Sequence, residues 1–189
     1  MAVFIRIIPY VPALHQIPHL ANFTPVAAIA LFSGFYLNRK YSLFVALGAM
    51  LISDLIIGFY NPVVMASVYG SFILIGTLGI WLKKHHTIGN LVITTLFGSI
   101  IFFLITNFAV WAFPGSFVMY PKTWQGLIDC YIMGLPFFRN TALGDLFYVG
   151  ALFGAYELVN MWITKRRGNW QFKSKIWGKG SFAKKLVKE

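Results

Sequence analysis

Residues 88–111 read IGNLVITTLFGSIIFFLITNFAVW, with no Asp, Glu, Lys or Arg among them. At ~1.5 Å per residue a helix of this length reaches roughly 36 Å, enough to cross a hydrocarbon core of about 30 Å with some tilt. The rest of the chain supports that reading. Of its 189 residues, 58% are hydrophobic and only 11% charged, with 16 Lys+Arg against 5 Asp+Glu. Mean hydropathy is +0.71. An ordinary soluble domain is about a quarter charged, so this chain lacks the polar surface to cover a globule in water. A soluble enzyme, a disordered regulator and a nucleic-acid-binding domain are poor readings, and an integral membrane protein is the good one. A single cysteine, Cys130, leaves no internal disulfide and no CxxC site.

Working outward, four long apolar runs predict spans at 41–58, 62–81, 88–111 and 141–163. Ser42, Thr87 and Asn140 are good N-cap types, and Asn61-Pro62 places a proline at a first helical position. A fifth span near 20–37 contains a shorter apolar run, 25–37, with Thr24 as its natural N-cap and Pro25 at N1. It reaches only about 20 Å. Either the chain enters the membrane through a broken element, or this is a short tilted span in a thinned bilayer. A broken entry would aim a partly positive helix N-terminus at an anionic solute group. The segment 123–138 is apolar but holds Gln125, Gly126, Asp129, Gly134 and Pro136, and is read as a re-entrant or surface helix. The predicted fold class is an all-α polytopic membrane protein of five to six transmembrane helices, with one broken entry and one re-entrant segment as candidate irregularities. The membrane domain ends near residue 164, and 165–189 forms a basic tail. Residues 1–14 carry Arg6, Pro9 and Pro12 and do not read as a signal peptide.

Arg39-Lys40, Lys83-Lys84 and the tail hold most of the basic residues. By the positive-inside rule they are cytoplasmic, which puts 58–61 and 112–122 outside and leaves the tail inside. The tail interleaves Trp170, Phe172, Trp177 and Phe182 with nine basic residues, a pattern that suits anionic lipid far better than nucleic acid beside a membrane.

Ionisable groups inside membrane segments are functional candidates by default. Under this orientation Asp54, Asn107 and Asp145 fall near the outer ends of their spans. Asn22 and Thr24 precede the short helix, and Trp111, Tyr120, Trp124, Arg139 and Asn140 come from the outer loop and its flanks. Thr95, Ser99, Phe102 and Thr106 share one helical stripe, as do Asp145, Tyr148, Leu152 and Tyr156. Together they predict a polar, aromatic-walled, outward cavity that binds substrate through Asn22, Thr24, Asp54, Asn107, Trp111, Tyr120, Trp124, Arg139, Asn140 and Asp145. The plainer reading of each stands beside it. Asp54 and Asp145 could simply pair with Arg139. Trp111, Tyr120 and Trp124 could be an interfacial belt. Ala30 with Gly34, and Gly150 with Gly154, are small-xxx-small pairs suited to helix packing or a partner. His15 and His19 are four apart, but Pro18 lies between them and no third ligand is evident; neither metal nor cofactor is expected.

Several segments carry a resemblance. They are Asn22-Phe23-Thr24-Pro25-Val26-Ala27-Ala28, Ala30-Leu31-Phe32-Ser33-Gly34, Ser53-Asp54-Leu55 with Gly58, and Thr106-Asn107-Phe108 with Trp111. Tyr120-Pro121, Gly126-Leu127, Cys130-Tyr131, Pro136-Phe137-Phe138-Arg139-Asn140-Thr141 and Gly144-Asp145 continue the series. Over roughly residues 15–160 the chain resembles an uncharacterised bacterial inner-membrane family of unknown function, provisionally described as transport proteins. That family is distantly similar to the substrate-binding (S) components of energy-coupling-factor transporters. The resemblance implies capture of a vitamin-like nutrient from the outer side, a separate coupling transmembrane subunit and cytoplasmic ATPases. S components carry an Ala-x-x-x-Ala motif for the coupling subunit, where this chain has Ala30-x-x-x-Gly34. Their metal-uptake branch begins Met-His, where this chain has Met1-Ala2, which argues against nickel or cobalt.

A small-solute transport subunit, with no enzymatic activity of its own, is therefore the first expectation. The alternatives are an intramembrane enzyme acting on a lipid-like substrate, with two acids for proton transfer, and an assembly subunit docking through Gly150, Gly154 and the tail.

Overall fold

In the computed structural model, the described residues are 23–115 and 118–166; the side chains of 39, 40 and 164–166 are outside the description. Asn22, residues 1–14, His15, His19 and the basic tail beyond 166 also lie outside it. The described residues form five helices: α1 (Val26–Tyr36), α2 (Arg39–Ile57), α3 (Pro62–Leu82), α4 (Ile88–Ala112) and α5 (Trp124–Arg166). By length and composition, α3, α4 and residues 124–163 of α5 can each cross a membrane, while α1 and α2 are shorter apolar helices.

Helix α1 is the hub. Its 11 residues pack against all four other helices, and Val26, Ala28, Ala30, Leu31 and Phe35 are almost fully buried. A helix that is apolar all round is stable only when surrounded, which explains how so short an element belongs to the bundle. It need not reach across lipid, because protein encloses it. Its first helical residue is Val26, one later than the proline expected at N1, and no side chain caps it.

Polarity in the bundle is reversed relative to a soluble protein. On α4, Ile93, Phe97, Leu104 and Phe108 are exposed, whereas Thr94, Thr95 and Ser99 are buried. The same holds on α2, where Phe44, Leu55 and Ile56 face out and Ser42, Ser53 and Asp54 face in. An apolar outer surface of this extent suits a cover of equal apolarity, such as lipid.

Small residues set the closest helix contact. A Cβ on Gly34 would collide with the Gly76 carbonyl oxygen and come within 3.0 Å of the Gly79 Cα; one on Gly79 would collide with the Leu31 carbonyl. Ala30 and Gly34 are thus consumed by packing of α1 on α3. Of the two roles the sequence offers this pair, helix packing or a partner, the contacts seen are packing within the chain. Gly150 and Gly154 are the opposite case, since both are exposed and an added Cβ would meet nothing within 4 Å.

Two helix starts agree with the sequence. Asn61 Oδ1 accepts from the Val63 and Val64 backbone N–H groups at 2.9 and 3.3 Å, ahead of Pro62 at N1. Thr87 Oγ1 accepts from the Asn90 N–H at 3.1 Å. Two do not. Helix α2 begins at Arg39, so Ser42 lies inside it, fully buried, and its carbonyl accepts from Ser33 Oγ at 2.6 Å. Asn140 lies inside α5. Helix α2 ends at Gly58, whose φ of 104° is open to glycine at little steric cost.

The largest correction is α5. Residues 123–138 and 141–163, expected as separate elements, run as one helix of 43 residues containing Pro136. At ~1.5 Å per residue this is about 64 Å, twice a hydrocarbon core. Proline removes one backbone hydrogen bond, but neighbouring helices and local adjustment re-satisfy the backbone in membrane helices. Here α4 flanks the site: Tyr131 Oη donates to the Leu104 carbonyl at 2.9 Å, and the Phe103 and Phe138 rings pack at a tilt with centroids 4.9 Å apart.

Candidate functional site

Three buried carboxylates each accept from a hydroxyl on another helix. Tyr69 Oη of α3 donates to Asp54 Oδ2 of α2 at 2.7 Å. Ser99 Oγ of α4 donates to Asp145 Oδ2 of α5 at 2.7 Å. Tyr36 Oη of α1 donates to Glu157 Oε1 of α5 at 3.1 Å. The acids are 1%, 3% and 5% exposed, so each is withdrawn from solvent and lipid alike. They do not converge. Asp54 lies one turn from the end of α2, Asp145 opposite the middle of α4, and Glu157 beside the far end of α1. Asp145 was expected in the first outer turn of its span. Because α5 starts at Trp124 and not at Asn140, it instead sits halfway along the helix. Substituting Tyr36→Phe would strip Glu157 of this donor, and should cost about 1–3 kcal/mol; a thermal midpoint matching the parent protein would show the bond carries little.

Asp145 faces a space of about 10 Å³ between α1, α3, α4 and α5, walled by Ala28, Leu31, Ile75, Val149, Thr95 and Ser99. That is barely room for one water. No basic side chain among the described residues reaches it. Arg139, offered by the sequence as its partner, is exposed elsewhere on α5 and makes no ion pair with it.

One turn away on the same two helices is a larger cavity of about 160 Å³. Phe102, Phe103, Phe137 and Phe138 give it aromatic walls, and Thr106, Asn107 and Thr141 give it polar atoms. Gly134 makes the room: a Cβ there would come within 2.6 Å of Asn107 Oδ1 and 2.9 Å of the Phe103 ring. Each polar side chain spends a donor on its own helix, leaving only the second N–H of the Asn107 amide. Thr106 Oγ1 donates to the Phe102 carbonyl at 2.8 Å, Asn107 Nδ2 to the Phe103 carbonyl at 2.8 Å, and Thr141 Oγ1 to the Phe137 carbonyl at 3.0 Å. Below this cavity, Thr141 and Asp145 are four apart on α5, and Ser99 and Phe103 four apart on α4, so the cavity and the carboxylate are stacked in depth.

Of the sequence-derived candidates on these two helices, Asn107 lines the cavity and Asp145 the small space below it, whereas Trp111, Trp124, Arg139 and Asn140 line neither. Thr24 is half-buried beside Phe23, whose ring packs on Tyr148 and Phe147 at centroid distances of 5.4 and 5.9 Å. Trp111 donates from Nε1 to the Pro121 carbonyl at 3.0 Å and ties down the loop that carries Tyr120. Trp124 is 81% exposed, the position of an interfacial anchor. Asp54 belongs to the separate α2–α3 pair. Sequence reasoning missed Gly134, Phe137, Phe138 and Thr141 as cavity walls, because 123–138 was split from the span that follows. Ser99 and Thr106 were already visible as one stripe of α4.

A family model matches residues 1–167. The chain belongs to that family, a family of unknown function (DUF6580). No curated protein and no solved structure matches the chain. Membership covers every described element, including both helices of the cavity, and assigns chemistry to none of them.

Proposed function

We propose that the protein is a membrane transport component that binds a small solute in the α4–α5 cavity. The observation that carries this is the stacking of a polar, aromatic-walled space between α4 and α5 on a carboxylate buried in the bundle. Burying Asp145 with a single hydroxyl partner is costly, and such residues in membranes mark solute and ion paths. A cavity of about 160 Å³ is smaller than the roughly 300–1,000 Å³ that holds drug-sized ligands, so it suits a one-ring or short-chain solute.

By the positive-inside rule, the α2–α3 turn and the α4–α5 loop face the outer side of a bacterial inner membrane. The tail would then be cytoplasmic. With α5 continuous, this orientation holds without a further crossing. The polar and aromatic side chains of the cavity suit recognition and not turnover, so the reading is non-enzymatic. The likeness to energy-coupling-factor S components remains a proposal, and any coupling subunit would have to dock on a face other than Ala30 and Gly34. The exposed Gly150 and Gly154 leave α5 room for a close neighbour there.

The test is thermal stability of the detergent-purified protein against a panel of vitamins, nucleobases, amines and amino-acid derivatives. A solute at 100 times its Kd should stabilise by about 2.7 kcal/mol when it binds only the folded state. Thr141→Leu, which extends a side chain into the cavity, should abolish the gain. A hit that survives Thr141→Leu undiminished would place the solute elsewhere and refute the site.

A further inference from the structure

The cavity's chemistry narrows what can occupy it. Thr106 and Thr141 have committed their hydroxyl donors, and Asn107 one of its two amide N–H groups, to backbone carbonyls four residues back. What they still offer a guest is mostly lone pairs: Asn107 Oδ1, turned toward Gly134, and the hydroxyl oxygens of Thr106 and Thr141. An anionic or purely accepting solute would find there no more than the second amide N–H of Asn107. Whatever part of its desolvation the cavity imposes would go largely uncompensated. The remaining walls are four phenylalanine rings with Val110 and Gly134, and aromatic rings are the apolar surface that best tolerates a cation. One turn below lies Asp145, facing no basic group from α1, α3, α4 or its own helix: its neighbours there are Ala28, Leu31, Ile75, Thr95, Ser99 and Val149.

We propose that the α4–α5 cavity takes a small organic cation, an ammonium donating to the acceptors of Thr106, Asn107 and Thr141, with the Asp145 carboxylate one turn deeper as its counter-charge. This rests on the reading of the cavity as a solute site and adds the class of solute. It also departs from the anionic preference that a partly positive helix N-terminus suggested, because acceptors outnumber donors among the cavity's polar atoms.

Three probes on one scaffold separate the possibilities: benzylammonium, benzyl alcohol and benzoate, titrated against the full-length protein in detergent micelles by calorimetry. Benzylammonium should bind at least tenfold more tightly than benzyl alcohol, and benzoate should not bind. Asp145→Asn, which keeps the shape and removes the charge, should weaken benzylammonium about tenfold and leave benzyl alcohol unchanged. Thr141→Val, which removes an acceptor at constant shape, should weaken both. Equal affinity for the ammonium and the alcohol, each reduced by Thr141→Val, would overturn the cation assignment while keeping the cavity as a solute site. Binding of benzoate as tight as that of benzylammonium would overturn it as well. Failure of all three probes to bind would overturn the assignment and the solute-site reading together.

Discussion

Gly34→Leu should abolish the cooperative unfolding transition of the purified protein. Ordinary overpacking of a core costs about 1–3 kcal/mol because side chains and backbone yield a little. Here the added atoms would meet the Gly76 carbonyl oxygen and the Gly79 Cα, which are backbone on a neighbouring helix. Neither can rotate away, so α1 and α3 would have to separate. Since α1 touches every other helix, separation exposes the centre of the bundle. A loss well above 3 kcal/mol would consume much of a total stability of about 5–15 kcal/mol. Gly154→Leu is the matched control. Its Cβ enters open space, and a surface substitution of that kind should stay within about 0.5 kcal/mol. Thermal midpoints of both variants decide the matter. A Gly34→Leu protein as stable as the parent would mean that α1 is not the hub.

The second large effect concerns Asp145. Ser99→Ala removes its hydroxyl donor and leaves the carboxylate buried among apolar walls. A buried polar group deprived of its partner costs about 1–3 kcal/mol, and more when charged. Replacing both partners should be far milder, since two apolar groups of matching shape can pack with no unsatisfied atom. Ser99→Ala with Asp145→Leu is therefore expected to be more stable than Ser99→Ala alone. A double-mutant cycle should return a coupling of about 0.5–3 kcal/mol. Additive effects of the two substitutions would show that the bond contributes nothing, and that another group holds the carboxyl.

How much of this was legible in the sequence follows from the physics of each feature. The helical spans 62–81 and 88–111 were readable to within a residue or so, because they are uninterrupted and capped by Asn61 and Thr87 with local bonds. The continuity of α5 was not. Gly134, Pro136 and Asn140 are breakers by local rule, and contacts with α4, such as those of Tyr131 and Phe138, override them. The cavity walls were hidden by the same split, since Phe137 and Thr141 fell on opposite sides of the supposed break. Individual acids could be flagged as buried, but their partners could not. Nothing in the spacing of Tyr69 and Asp54, or of Ser99 and Asp145, says which helices lie side by side. Ala30 and Gly34 were recognisable as a close-packing pair, whereas the surface they meet, Gly76 and Gly79, depends on how the bundle closes.

The central claim is that the cavity between α4 and α5 holds the transported solute. The most direct measurement is flux of the most strongly stabilising solute into proteoliposomes, made with the parent protein (plus its coupling partner, where uptake needs one) and with Thr141→Leu. The account predicts flux with the parent, none with Thr141→Leu, and little change in thermal midpoint between the two without solute. Equal flux through both, with Thr141→Leu folded, would contradict it.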